Sequence, residues 1–154
     1  MFIHELSPAL FSRTREKLLR FIHVHGDRRI TARAIRWLRA LPAEMLEEEG
    51  NIVLIYTQNS KLLGCIAVYG YGTQESFLVV HQKAREQGIG TALTNAALSR
   101  LGKLYVRVAA DNTASLKTCF TIGMVAFACV RGVTGKPTLW LAAGDWRKED
   151  VKTI

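Results

Sequence analysis

The apolar positions of the chain change period several times, and each change marks an element. From Pro8 to His25, Leu10, Phe11, Leu18, Phe21 and Ile22 recur at intervals that suit one helix face. Ser7 is placed to cap its start, Pro8 fits the first helical position and Gly26 ends it. Ile30, Ala34, Trp37, Leu38 and Leu41 predict a second helix with a basic opposite face, and Pro42 breaks or restarts it before the acidic run Glu44 to Glu49.

The period then becomes that of strands. Ile52 to Thr57 and Lys61 to Tyr69, joined by Gln58-Asn-Ser60, read as an antiparallel hairpin. After Gly70-Tyr71-Gly72 a third run, Gln74 to Val80, completes a meander, and its apolar end predicts burial on both faces. A polar loop from His81 to Gly88 leads into a helix with Ile89, Leu93, Ala97 and Leu101 at four-residue spacing, stopped by Gly102. Leu104 to Val108 predicts another strand, Asn112 to Ile122 a short helix ended by Gly123, and Met124 to Val130 with Thr138 to Leu141 a last pair of strands. The polar tail, Gly144 to Ile154, is expected to fray, and no internal repeat is visible.

With 154 residues and 17.2 kDa the chain suits a single domain over residues 1–154 with a sizeable core. Its 49% hydrophobic and 22% charged residues exclude wholesale disorder and low-complexity composition. No apolar run approaches the ~20 residues that span a bilayer. Met1 to Pro8 does not read as a secretory signal, so a cytoplasmic location is expected. Cys65, Cys119 and Cys129 are odd in number and lack C-x-x-C spacing, which argues for reduced thiols rather than a disulfide framework or zinc site. His23-x-His25 could place two imidazoles on one strand face but lacks a third nearby ligand, so no metal is expected.

Charge changes the picture more. The net charge is +8, and the first forty residues hold nine arginines and lysines against Glu5, Glu16 and Asp27. The basic residues between positions 13 and 39 could attract an acidic partner, a nucleic acid or a phosphorylated ligand, or simply form the solvated faces of two helices. The signatures of the common nucleic-acid modules are not visible.

Chemistry concentrates in Val80-His-Gln-Lys-Ala-Arg-Glu-Gln-Gly-Ile-Gly-Thr-Ala-Leu93, where a strand runs through Arg85-x-x-Gly88-x-Gly90 into a helix. Unpaired amides at a helix N-terminus, approached across glycines, make a cradle for a diphosphate. A Rossmann site would need G-x-G-x-x-G early in a βαβ unit with an acidic residue about 20 positions on, and a P-loop would need Gly-Lys-Ser/Thr; neither is present.

Strand, Arg/Gln-x-x-Gly-x-Gly/Ala, helix resembles the cofactor motif of the GNAT superfamily of acyl-CoA N-acyltransferases. Three further segments are similar to the family pattern: Lys61-Leu-Leu-Gly64-Cys-Ile in the preceding hairpin, Asn112-Thr-Ala-Ser115, and Ile122-Gly123-Met124 where Leu-Gly-Phe is usual. The resemblance implies an α+β fold, an α/β mixed sheet that is mostly antiparallel and flanked by helices. It also implies acetyl-CoA as acyl donor and an amine acceptor, which could be a small molecule, a peptide or an RNA-borne amine.

By the same resemblance Gln87, Gly88, Ile89, Gly90 and Thr91, after Glu86, would hold the diphosphate, and Arg85 would pair with phosphate or pin the loop. Val79 and Val80 would offer backbone groups to the pantetheine arm, and an amide near Leu78 to Val80 would serve the oxyanion. Asn112, with Ser115 in the same motif, would orient the pantetheine or cap the following helix. Glu75 is the candidate base, directly or through water. The position where the family commonly carries a tyrosine acid is Cys119, so either this thiol or water protonates the leaving thiolate; His81 is chemically able but sits where the family often has a non-catalytic histidine. The missing tyrosine leaves an alternative open, a catalytically silent CoA-binding module that regulates a protein partner. An exposed strand at a sheet end would make a homodimer plausible.

Overall fold

The computed structural model describes residues 2–132 and 135–152. Four strands form one sheet in the order β1-β2-β3-β4, namely Ile3–Glu5, Ile52–Gln58, Lys61–Tyr69 and Glu75–Val80, every pair antiparallel. A second sheet has the order β5-β7-β6, from Lys103–Ala109, Pro137–Gly144 and Val125–Arg131, also antiparallel. Strands β4 and β5 come close, yet among the described residues no ladder joins them. The molecule is therefore split between β4 and β5.

The helices form where capping and period predict. Helix α1 spans Pro8–His25, and the Ser7 hydroxyl accepts from the Leu10 amide at 3.2 Å. Helix α2 is Ala32–Ala40, shorter than the apolar pattern from Ile30 to Leu41, because Thr31 caps it by accepting from the Ala34 amide at 3.1 Å. Pro42 does restart the chain, as one short 3-10 turn at Ala43–Glu47. Helices α3 and α4 span Ile89–Leu101 and Thr113–Thr121. His23 and His25 belong to α1 rather than to a strand, and residues two apart on a helix do not share a face. No metal-holding group occurs among the described residues.

Two cores lie on opposite faces of the first sheet. Ile52, Leu54, Ile66 and Val68 pack with Ile89, Leu93 and Ala97 of α3 and with Leu104, Val108 and Leu141, so α3 bridges both sheets. Val53, Cys65, Ala67 and Val79 face the other way, against Phe11, Leu18, Phe21 and Ile22 of α1 and Leu38 of α2. Alternation of side chains along each strand produces this division. Each fully buried large side chain contributes roughly 1.5–3 kcal/mol of transfer free energy.

Close backbone approach fixes the junctions. A Cβ at Gly64 would stand 3.0 Å from side-chain atoms of Ile89 and Leu93, so glycine lets α3 settle on β3. A Cβ at Gly72 would stand 1.8 Å from the Tyr105 carbonyl oxygen, where the turn before β4 meets β5.

Three expectations change. Strand β1 has no counterpart in the sequence reading: Phe2 to Leu6 alternates too briefly to register, and pairing with β2 makes it a strand. The end of β4 is only half-buried at Phe77, Leu78 and Val80, because its far side opens into the split. The tail packs as far as Val151, which is buried beside Tyr105, whose hydroxyl donates to the Asp150 carboxylate and receives the Arg147 amide at 2.8 Å. Residues 153 and 154 lie outside the described residues. No described helix is long and apolar enough to cross a membrane.

Candidate active site

The ladder between β3 and β4 decides which backbone groups are free. The His81 amide donates to the Leu63 carbonyl at 2.8 Å, in the register that sets Gly64 opposite Val80. Residues of an antiparallel strand alternately turn both backbone groups toward the partner strand and away from it. Phe77 and Val79 therefore bond to β3, whereas Ser76, Leu78 and Val80 turn their N–H and C=O into the split. This corrects the expectation for Val79, whose backbone is committed to Cys65; Leu78 has both groups to offer and Val80 its amide, since the Val80 carbonyl accepts from Arg85.

At the far end of β4 the chain passes a short 3-10 turn at Gln82–Ala84 and enters α3. Gly88 is the N-cap, in the left-handed region at φ +81°, with no side chain to close the helix end. The amides of Ile89, Gly90 and Thr91 consequently have no intrahelical acceptor, while Ala92 already donates to the Gly88 carbonyl at 2.9 Å. A Cβ at Gly90 would stand 3.3 Å from the Leu78 side chain and 3.7 Å from that of Val80, so glycine keeps the passage between helix end and split open. Gln87 and Glu86 are exposed just before it.

Arg85 pins this loop. Its Nε donates to the Val80 carbonyl at 3.2 Å, one Nη to the His25 carbonyl at 2.6 Å, and the other pairs with Asp27. Two of these contacts tie the loop to the α1–α2 junction and the third to the end of β4, and the arginine holds the Asp27 carboxyl below its ordinary range. The His25 and His81 rings lie beside it, tilted at 32° with centroids 4.0 Å apart, and their Nδ1 atoms accept the Gln82 and Lys83 amides. Burial and neighbouring positive groups lower both imidazole pKa values, in keeping with Nδ1 atoms that accept hydrogen bonds.

A cleft of about 650 Å³ occupies the split, and Glu75, Leu78, Asn112, Ser115 and Cys119 all line it. Glu75 is buried, and its Oε1 receives the Ser76 amide at 3.2 Å and approaches Nη2 of Arg107 on β5 at 3.7 Å. Burial raises its pKa above the usual carboxylate value; Arg107, the Ser76 amide and Arg33 partly offset that rise. Cys119, on α4, is buried in the core that holds α3, and burial pushes its thiol up to about 11. The Asn112 side chain accepts from the Ser115 amide at 3.3 Å, which is the helix-capping arrangement.

Arg107 escapes sequence reasoning, whereas Arg28 and Arg33 register there only as part of the basic stretch between residues 13 and 39. Arg107 sits inside an apolar strand pattern and reads as an exposed residue; only the pairing of β5 with β7 places it over Trp140, 5.2 Å from the ring centroid, and opposite Glu75. The basic stretch between residues 13 and 39 also divides. Arg28, Arg29 and Arg33 line the cleft, whereas Lys17 and Arg20 edge a separate shallow pocket with Lys61 and His81.

Two antiparallel sheets split between β4 and β5, with α3 entering beside the split, make a fold that solved structures share. A GNAT-family acetyltransferase from Streptococcus pneumoniae superposes with a TM-score of 0.70 at 16% identity, covering 92% of this chain and 97% of that one. A spermidine N-acetyltransferase variant from Vibrio cholerae gives 0.67 at 13% identity, covering 92% of each chain. A ribosomal-protein-alanine N-acetyltransferase from Brucella melitensis gives 0.65 at 17%, covering 94% and 99%. No curated protein matches the chain in sequence. The sequence pattern of the acetyltransferase (GNAT) domain matches residues 29–118, more than half of the chain, and the protein belongs to the GNAT acetyltransferase family.

Proposed function

We propose that the protein is an N-acetyltransferase that moves the acetyl group of acetyl-CoA to a primary amine by direct attack. The observation that carries this reading is the run of inward-facing backbone groups on Leu78 and Val80, leading from the open N-terminus of α3 to the buried carboxyl of Glu75. The residues fit the donor: Gly88 and Gly90 leave room for a diphosphate against the amides of Gln87 to Thr91. When bound, acetyl-CoA supplies the thioester acetyl group.

The chain's own part follows from its geometry. The amide of Leu78, turned into the split, is the donor for charge that develops on a carbonyl oxygen during attack. Glu75 removes the ammonium proton of the acceptor, directly or through water; its raised pKa makes it a stronger base than an exposed carboxylate. The last proton is the one the attacking nitrogen sheds as the amide forms, relayed through water to the leaving thiolate. A thiol at about 11 is a poor donor to a thiolate of ordinary pKa about 8.5, since the transfer runs uphill by roughly 3 kcal/mol. In this reading Cys119 fills space beside the site, and Asn112 and Ser115 shape its wall as the start of α4.

The test is release of free thiol from acetyl-CoA in the presence of a panel of primary amines. The reading predicts release that depends on the amine and falls at least about a hundredfold in Glu75→Gln. The absence of a tyrosine acid favours a second reading, a silent CoA-binding module acting on a protein partner. That reading predicts bound acetyl-CoA with no amine-dependent release. The structural neighbours act, by their names, on acceptors as different as spermidine and a ribosomal protein, so the acceptor has to be read from the cleft itself.

A further inference from the structure

The cleft carries an uneven charge that bears on its acceptor. Six cationic side chains line it, Arg28, Arg29, Arg33, Arg107, Arg131 and Lys136, against two carboxylates, Asp27 and Glu75. Asp27 is held by Arg85, and Asp111 at the rim neutralises part of the pair Arg29 and Lys136, at 2.9 and 3.1 Å. Among the described residues no carboxylate pairs with Arg28 or Arg33.

The cations nearest Glu75 lie on the face of the sheet away from α3. Glu75 and Phe77 point to the side of α1 and α2, as does Arg107, which shares its face of β5 with Tyr105 and rests on Trp140. Arg33 projects from α2 on that same side, near enough to Glu75 to act on it electrostatically. The helix end that receives a diphosphate is across the sheet, with Leu78 and Val80. The cations around Glu75 are thus not the phosphate cradle of the donor.

We infer that the acceptor is a small amine that also carries an anionic group, a carboxylate or a phosphate, bound by Arg33 and Arg107 while its nitrogen sits at Glu75. This rests on the acetyltransferase reading. Such a molecule replaces the Glu75–Arg107 ion pair with two matched contacts, ammonium to Glu75 and anion to the guanidinium groups, and leaves no charge uncompensated in a buried place. The stack on Trp140 holds the Arg107 plane ready for it. A polyamine would bring its second ammonium against Arg28, Arg33 and Arg107, and like charges in a half-buried cleft repel.

Acetyl transfer to four matched amines tests this: 3-aminopropanoate, 2-aminoethyl phosphate, the methyl ester of 3-aminopropanoate, and 1,3-diaminopropane. Either anionic amine should exceed the ester in kcat/KM by roughly tenfold, and the diamine should be the poorest. The two anionic arms tell carboxylate from phosphate. Arg33 is exposed, so Arg33→Ala should fold; it should lower kcat/KM for the preferred anionic amine about tenfold through KM, change the ester little, and be partly rescued in Arg33→Lys. Equal or better transfer to the ester or the diamine overturns the inference, as does a charge preference unchanged in Arg33→Ala. No transfer to any of the four, with acetyl-CoA still raising the unfolding midpoint, also counts against it. Loss of that midpoint shift would instead overturn the reading on which it rests.

Discussion

Arg107 on β5 reaches Glu75 on β4 across the split, Nη2 to Oε1 at 3.7 Å, where no hydrogen-bonded ladder joins the two strands among the described residues. The pair sets the charge state of the proposed base. Burial raises the Glu75 pKa, and Arg107 is the largest influence holding it down. If Glu75 must be ionised to accept a proton, kcat/KM rises with pH through its pKa. Replacing Arg107 by leucine removes the restraint and should move that acidic limb to higher pH, on a plateau lowered for an anionic acceptor by the lost guanidinium. A limb that stays in place would show that Glu75 is not the titrating base.

Arg85 separates two roles that the sequence leaves open. Because its guanidinium is engaged by Val80, His25 and Asp27, its contribution to donor affinity should run through the loop. Asp27→Asn should then raise the KM for acetyl-CoA in the same direction as Arg85→Ala, and the double variant should be less than additive. Were Arg85 a direct phosphate ligand, removing Asp27 would free it and tighten binding. Steady-state kinetics with varied acetyl-CoA separates the two.

Cys119 is expected to matter for packing rather than proton transfer. Cys119→Ala should keep kcat within about threefold and lower stability by roughly 1 kcal/mol, from a small cavity in the core beneath α3. At neutral pH the exposed Cys129 should react with iodoacetamide well before buried Cys119 and Cys65, whose thiols are pushed up to about 11 and about 12. A kcat loss of a hundredfold in Cys119→Ala would restore the thiol as the acid.

Gly72 should be the least replaceable residue of the meander. Its φ is +97°, and an added Cβ would fall inside the Tyr105 carbonyl. Gly72→Ala should cost more than about 2 kcal/mol in denaturant unfolding, by strain and by forcing the β3–β4 turn off β5. Gly88→Ala, with φ +81° but open space around it, should cost only about 1 kcal/mol.

The order of helices and strands from Pro8 to Leu141 is legible in the sequence because each element has a clean period and most have a cap or glycine stop, as Ser7, Asn112 and Gly102 illustrate. The proposed phosphate cradle is legible for the same local reason. What is not legible depends on pairing between distant segments. Strand β1 exists through β2, β7 inserts between β5 and β6, and the division of β4 into Val79, bonded to β3, and Leu78 and Val80, turned away from it, follows from its register with β3. Arg107 and Arg33 become site residues only when β4, β5 and α2 meet, and the tail packs because Tyr105 and Asp150 find each other 45 residues apart.

The central claim is that the N-terminus of α3 and the split beside it hold acetyl-CoA. The most direct test is thermal unfolding of the intact protein with and without acetyl-CoA, alongside Gly90→Trp, which should fill the passage beside Leu78 and Val80. Ligand at a hundred times its Kd should stabilise the native state by about 2.7 kcal/mol, raising the midpoint by several degrees in the natural sequence and not in the variant. An unchanged midpoint at millimolar acetyl-CoA, or an equal rise in Gly90→Trp, would contradict the account.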